Sequence, residues 1–233
     1  FHFKIYLLVY GENNDVFSII FYIIMEYERG IIKIKKLIKL SLVLIMIALS
    51  FLFYNKYIEK KYIDETKNMT ENDIKLVNEV ISLAKEKVGL EYIWGGKGEI
   101  MTDERLDELI SEYGIKHYPL DRDKYIKNQA FDCSGLTYWT YKEITGVEIG
   151  YSTLQQKEVL KDYKVDKSEL QPGDLIYTPG HVVMYIGKGK VIQSANDREY
   201  PIGGVKISSV LMYKNGEVYR PIWYINKTLK NNR

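Results

Sequence analysis

A cysteine nucleophile needs a thiol placed where an anion is tolerated, an imidazole within hydrogen-bond reach to take its proton, and a polar group to orient that imidazole. The chain has one cysteine, Cys133, in the run Ala130-Phe131-Asp132-Cys133-Ser134-Gly135-Leu136, which reads as a turn opening a helix. Unpaired N–H groups and the helix dipole favour negative charge at such a start, so the position is expected to lower the thiol pKa. A lone cysteine is by default a small buried hydrophobe, so the chemical reading depends on partners. His181 follows the Pro179-Gly180 turn and opens an apolar run, which stands its ring at a sheet edge facing the start of the Cys133 helix.

The next turn supplies a geometric test. Gly187-Lys188-Gly189 joins the His181 strand to a strand bearing Gln193. A three-residue loop with a G1-type bulge puts Gln193 on the His181 face, diagonal to it, whereas a two-residue loop reverses the parity and puts Ser194 there instead. From the His181 face the Gln193 amide oxygen can accept the imidazole Nδ1–H. The plain alternative is a solvated strand residue.

The elements that must hold these groups are legible on either side. Thr70 with Asp73 marks a helix start, and Ile74, Val77, Ile81, Ala84 and Val88 recur at helical spacing up to Gly89. Gly89 to Gly96 is aromatic-rich and closes on two glycines. Residues 97–130 read as an insertion between core elements, with a helix from Thr102 to Tyr113 stopped by Gly114 and a loop through His117, a surface residue on this reading. Leu136, Trp139, Tyr141 and Ile144 continue the Cys133 helix to Gly146, and Ser152 with Gln155 starts another. From Leu170 the texture changes to strands over Asp174–Thr178, His181–Ile186, Lys190–Ala195, Val205–Ser208 and Glu217–Ile222. Helices followed by an antiparallel meander make an α+β domain.

The chain starts with Phe1, and its first methionine is Met25, so residues 1–24 read as upstream sequence that is not normally translated. Residues 25–54 read as an export signal or membrane anchor, with Arg29, Lys33, Lys35, Lys36 and Lys39 ahead of an uncharged run from Leu40 to Tyr54. Ala48-Leu49-Ser50 offers a cleavage site, but the apolar run continues through Phe51 to Tyr54, which favours an uncleaved anchor. Residues 55–72 read as a polar linker, 73–226 as one globular domain and 227–233 as a polar tail. With the folded bulk after the anchor, the domain is expected outside the cytoplasm, at the cell envelope.

A net charge of +2, spread along the chain, gives no case for a nucleic-acid partner. One cysteine rules out an internal disulfide and a Cys-rich metal site, and three histidines, His2, His117 and His181, make a zinc enzyme an unfavoured reading.

These residues resemble the NlpC-type cell-wall cysteine peptidases. Tyr92-Ile93-Trp94-Gly95-Gly96, Asp132-Cys133-Ser134-Gly135, Pro172-Gly173-Asp174-Leu175 and Gly180-His181-Val182-Val183-Met184-Tyr185-Ile186-Gly187 occur in that family's order, over about residues 73 to 226. The resemblance implies a papain-like α+β fold, N-terminal helices packed on an antiparallel sheet, in which Cys133 attacks, His181 is the base and Gln193 orients it. Family members most often carry histidine at that third position. It further implies that Tyr92 places its hydroxyl near the oxyanion beside the Cys133 N–H, that Asp132 and Ser134 recognise the free amine and backbone of a peptidoglycan stem peptide, and that no metal or organic cofactor is needed. The implied reaction is hydrolysis of the γ-D-glutamyl to diamino acid bond through a thioester acyl-enzyme.

Two departures bear on substrate choice. Tyr151 stands where the family stretch matching Tyr151-Ser152-Thr153-Leu154-Gln155-Gln156 usually begins with arginine, and the 97–130 insertion is longer than the usual connection, placing it at the border of the groove. Two rival readings stay open: an N-acetylmuramoyl-L-alanine amidase or acyl transferase with the same nucleophile, and a non-catalytic wall-binding scaffold. The scaffold predicts a Cys133 that resists alkylation at neutral pH, where a catalytic thiolate would react.

Overall fold

A computed structural model of the chain describes residues 4–8, 20–24, 32–196 and 198–231, with the backbone alone for 4–8, 20–24, 32–39 and 58–64. The Met25 start and Arg29 lie outside the described residues. The chain forms two compact units, Phe1–Tyr54 and Asn55–Arg233. In the first, β1 (Lys4–Leu8) pairs antiparallel with β2 (Ile20–Ile24).

Helix α1 (Ile32–Thr66) begins in that unit, and its stretch Leu40–Tyr57, 18 residues of mean hydropathy 1.7, is long and apolar enough to cross a membrane. The helix continues to Thr66 through residues read from sequence as a linker. Lysines, glutamate and the absence of Gly or Pro favour its propagation there.

In the second unit α2 (Glu71–Lys85) starts at Thr70, whose Oγ1 accepts the Asp73 N–H at 3.1 Å. The Asp73 carboxylate does not complete a reciprocal box; it accepts from Asn226 Nδ2 at 2.7 Å. Then come β3 (Lys97–Ile100), α3 (Asp103–Tyr113), β4 (Gln129–Phe131), α4 (Cys133–Thr145), α5 (Thr153–Val159), β5 (Lys164–Val165), β6 (Leu175–Thr178), β7 (His181–Gly187), β8 (Lys190–Ala195), β9 (Gly204–Ser209), β10 (Glu217–Tyr219) and α6 (Pro221–Asn231). Strands β5 to β10 form a six-stranded sheet in the order β5-β10-β6-β7-β8-β9, antiparallel throughout. Four of them make the expected meander, and β10 returns to extend it beyond β6.

Period-2 alternation sorts the sheet into two faces. Leu175, Tyr177, Val182, Met184, Ile192 and Val205 pack against α2 and α4, while Ile176, Val183, Tyr185, Val191 and Val218 form a smaller cluster on the other side. This is the α+β arrangement of helices on one face of an antiparallel sheet. Residues 97–130, read from sequence as an insertion, carry their own core, in which Met101, Leu106, Leu109, Tyr118 and Tyr125 close around Ile93 and Ala130.

The C-terminal end differs from the sequence reading. The strand expected over Glu217–Ile222 stops at Tyr219, because Pro221 cannot donate to a ladder but suits a first helical turn. Helix α6 runs to Asn231, with Ile222 and Ile225 buried in the main core.

Between β10 and α6 lies a buried ion pair. Arg220 Nε and Nη2 donate to the two carboxylate oxygens of Asp174 at 2.9 and 3.0 Å, Nη2 also reaches the Glu169 carbonyl at 2.5 Å, and the Gln171 N–H donates to Asp174 at 2.8 Å. This pair ties the β10–α6 junction to the turn that opens β6.

Candidate active site

Cys133 is the first residue of α4, and Asp132 is the N-cap, its Oδ1 accepting the Gly135 N–H at 2.6 Å. The thiol is buried in the main core, and the backbone N–H groups of Val182 and Ser134 reach it, so it lies beside the strand residue that follows His181. Burial pushes the thiol up to about 11, with the Asp132 charge adding to the effect and the two N–H groups and Lys97 opposing it. The expected depression of this pKa is therefore overturned. A helix terminus contributes on the order of 1 kcal/mol, whereas burial of an anion shifts a pKa by up to several units.

His181 and Gln193 meet on one face of the sheet, with His181 Nε2 2.7 Å from Gln193 Oε1. The hairpin achieves this in a way neither simple loop would. The turn is two residues long, Lys188 and Gly189 both at positive φ with Gly187 opposite Lys190, and that alone would direct Ser194 toward His181. A bulge between Tyr185 and Gly187 inserts one residue into β7 and restores the parity, so the register from Met184↔Ile192 sets Gln193 opposite Val183 and diagonal to His181.

The contact is made by Nε2 rather than the Nδ1 expected from the sequence. Gln193 is held from both ends: Tyr213 donates its hydroxyl proton to Oε1 at 2.6 Å, and Nε2 donates to Ser208 Oγ at 2.8 Å. With the amide in this orientation, Oε1 accepts the His181 Nε2–H, which leaves an Nδ1 lone pair to receive a proton. Burial lowers the His181 pKa, partly offset by the Gln193 bond, so the ring is neutral at physiological pH. Neither Tyr213 nor Ser208 carries a local sequence signal for this role.

A groove of about 510 Å³ opens over this pair, lined among others by Tyr92, Trp94, His181, Gln193, Arg198 and Lys206. A cavity of similar size, about 530 Å³, near Glu65 and Trp223, has no histidine in its lining, and Cys133 lines neither. Tyr92 is held at the groove by a backbone bridge to Phe131. His117, read as a surface residue, stacks on Trp94 with ring centroids 4.4 Å apart, which brings the insertion to the groove wall.

Asp132 and Ser134 sit together beside the thiol. The Ser134 hydroxyl donates to Asp132 Oδ1 at 2.8 Å, with the Tyr151 carbonyl a second acceptor at 3.0 Å. Lys97, which sequence reasoning passed over, donates from Nζ to Asp132 Oδ2 at 2.5 Å and to Ser134 Oγ at 3.0 Å. Below them the fully buried Gln156 donates to the Ser134 and Gly150 carbonyls at 2.9 and 3.1 Å and accepts from Tyr177.

The start of α4 also depends on close backbone packing. A Cβ on Gly135 would lie 1.9 Å from the Gly96 carbonyl oxygen, and one on Gly96 would lie 2.6 Å from the Ala130 backbone. Gly135→Ala is therefore expected to lower stability by about 2–3 kcal/mol, read as a fall in urea midpoint, because a backbone oxygen cannot move aside as a side chain would.

The NlpC/P60 family model matches residues 89–214, more than half of the chain. The chain belongs to the NlpC/P60 family. Among curated relatives, it is 37% identical over 71 residues to murein DD-endopeptidase MepH of Escherichia coli, covering 28% of this chain and 26% of that protein. It is 29% identical over 113 residues to a probable endopeptidase NlpC homolog of Haemophilus influenzae, covering 48% and 56%. The match thus spans about a quarter and about half of these relatives' lengths. Among solved structures, peptidoglycan hydrolase RipB of Mycobacterium tuberculosis aligns at 27% identity and a TM-score of 0.45, covering 68% of this chain and 70% of that one.

Proposed function

We propose that this chain is a cysteine peptidase that hydrolyses peptidoglycan stem peptides, with Cys133 as nucleophile, His181 as base and Gln193 as its orienting group. The observation that carries this reading is the His181 imidazole held 2.7 Å from Gln193 Oε1, next to the strand residue whose N–H touches the thiol, in a chain of the NlpC/P60 family. His181 Nδ1 takes the thiol proton as sulfur bonds to the carbonyl carbon. The oxyanion is held by the Cys133 N–H and the Tyr92 hydroxyl. The proton then passes to the leaving amine and the C–N bond breaks to leave a thioester; a water deprotonated by His181 adds to the thioester carbonyl, the C–S bond breaks to release the carboxyl product, and the proton returns from His181 to the sulfur. The Leu40–Tyr57 stretch of α1 anchors the enzyme in the membrane, with its domain on the wall side.

The bond proposed is γ-D-glutamyl to diamino acid. A second reading, cleavage of the D,D cross-link, is favoured by the likeness to a protein named murein DD-endopeptidase. Mass spectrometry of sacculi digested with the purified protein separates them. Disaccharide-dipeptides indicate the first bond, and conversion of dimers into monomers with intact stems indicates the second. Release of whole stem peptides from glycan would instead identify an amidase, and no release at all would sink the peptidase reading.

Loss of the orienting amide has its own signature. Gln193→Leu is expected to lower kcat by about 10²-fold, part of the 10²–10⁴ range of a positioned general base. The Gln193 bond raises the His181 pKa, so its removal should also move the acidic limb of the kcat/KM profile to lower pH. A limb that moves to higher pH would contradict this role.

A further inference from the structure

The end of helix α1 is bonded to the hairpin that carries His181 and Gln193. Glu65, half-buried in the last turn of that helix, accepts the Tyr185 hydroxyl proton at Oε1 (2.7 Å) and the Lys188 N–H at Oε2 (3.1 Å). The Tyr185 hydroxyl in turn accepts the Gly189 N–H at 3.0 Å. Lys188 and Gly189 are the turn residues, and Tyr185 is the strand residue from which the β7 bulge departs. A carboxylate and a phenol therefore tie the turn and the bulge together. Tyr185 is 2% exposed, in the cluster on the side of the sheet away from α4, so its hydroxyl has a fixed origin. Lys188 stands at a φ of 56°, a conformation that side chains disfavour, and Glu65 holds its N–H there.

These bonds belong to the bulged register. Taking out the bulge moves the turn one residue along relative to Tyr185, a slide of about 3.3 Å that carries the Lys188 and Gly189 N–H groups out of hydrogen-bond reach of both oxygens and returns them to water. Only contacts that differ between two arrangements bias the choice between them, and these differ. The register they favour is the one that sets Gln193 diagonal to His181.

We propose that Glu65 is a positioning residue for the His181–Gln193 pair: it binds the last turn of α1 to the β7–β8 hairpin and thereby holds the register that turns Gln193 toward His181. Its effect on turnover rests on the peptidase reading above. Glu65 touches no reacting atom and acts through Tyr185 and the turn. The stretch read from sequence as a linker is by this assignment a working part of the enzyme.

The test uses the full-length chain in detergent micelles with Glu65→Ala, Tyr185→Phe, the two combined, and Glu65→Gln, thermal melts showing which variants fold. Glu65→Ala is expected to lower kcat on purified sacculi by about 10-fold, a population shift of the size that one hydrogen bond to a charged group supplies. Tyr185→Phe should cost a similar factor, and the double variant no more than either alone, because both cut the same connection. Glu65→Gln should recover most of the loss, since its amide oxygen still accepts the Lys188 N–H and its NH₂ group donates to the Tyr185 hydroxyl. Tyr185→Phe removes a single oxygen and carries the test if Glu65→Ala fails to fold. A readout independent of turnover is nitrogen NMR of the His181 ring: the wild type should show a protonated Nε2 beside a lone-pair Nδ1, and the Glu65→Ala and Tyr185→Phe proteins a mixture of tautomers, with faster hydrogen exchange at the Lys188 and Gly189 N–H groups. Additive losses, or folded variants that keep both the turnover and the tautomer of the wild type, would overturn the role of Glu65 and leave the peptidase reading in place. A wild type that releases nothing from sacculi would sink that reading, and the NMR comparison would still decide whether Glu65 sets the ring.

Discussion

Cys133→Ala should bring the release of muropeptides from purified sacculi down to the level without enzyme, a loss on the order of 10⁴-fold or more. The change removes one sulfur from a site that is 7% exposed, so the fold should survive with a cost of about 1 kcal/mol, visible as a small shift in melting temperature. Retained release by a folded Cys133→Ala protein would remove the nucleophile from the proposal. The state of the thiol in the resting protein follows from the same site. With Cys133 pushed up to about 11 and His181 lowered, the resting pair is neutral thiol and neutral imidazole. Alkylation by iodoacetamide should therefore be slow at neutral pH and climb through the alkaline range. Slow alkylation thus does not separate an enzyme from a scaffold, as the sequence reading expected it to; turnover does. A rate already level below neutral pH would show a preformed thiolate and contradict this resting state.

The largest stability effect is expected at Asp174. Burial raises its carboxyl to about 6 against the pull of Arg220 and the Gln171 N–H, so at neutral pH or above it is ionised and paired. Asp174→Ala leaves the Arg220 guanidinium, 4% exposed, without its counter-charge, and the cost of such an orphan is about 3–5 kcal/mol. Urea denaturation at neutral pH measures it. Exchanging both partners for apolar residues of similar size should recover much of the loss, since the penalty comes from the stranded charge rather than from any net strength of the pair. A single variant as stable as the wild type would mean that water reaches Arg220 and that the pair does not hold β10 and α6 to the sheet.

What the sequence makes legible is local. The start of α4 at Asp132-Cys133, the caps at Thr70, Thr102 and Ser152, and the meander of β6 to β9 all follow from patterns spanning a few residues. The His181–Gln193 contact is within reach of the same logic because one hairpin joins the two strands. The thiol pKa is not, since it depends on how much of the domain closes over Cys133. Lys97 meets Asp132 across 35 residues and Tyr213 meets Gln193 across 20, separated by elements whose packing no window reveals. The N-terminal half of the insertion reads correctly as helix α3, yet the stacking of His117 on Trp94 needed the fold.

The extra residue that the bulge places in β7 gives the hairpin a phase. Changes of side chain in the Lys188-Gly189 turn leave Gln193 facing His181 so long as the backbone geometry holds, but losing the bulge would swing Ser194 into that place and drive the amide into the apolar face that packs on α4. The His181–Gln193 contact is therefore written in the spacing of the hairpin as much as in its residue types. When relatives are compared, the third group is best found by counting strand positions from the histidine through the bulge, and a chain that keeps the glutamine at a different count has not kept the contact.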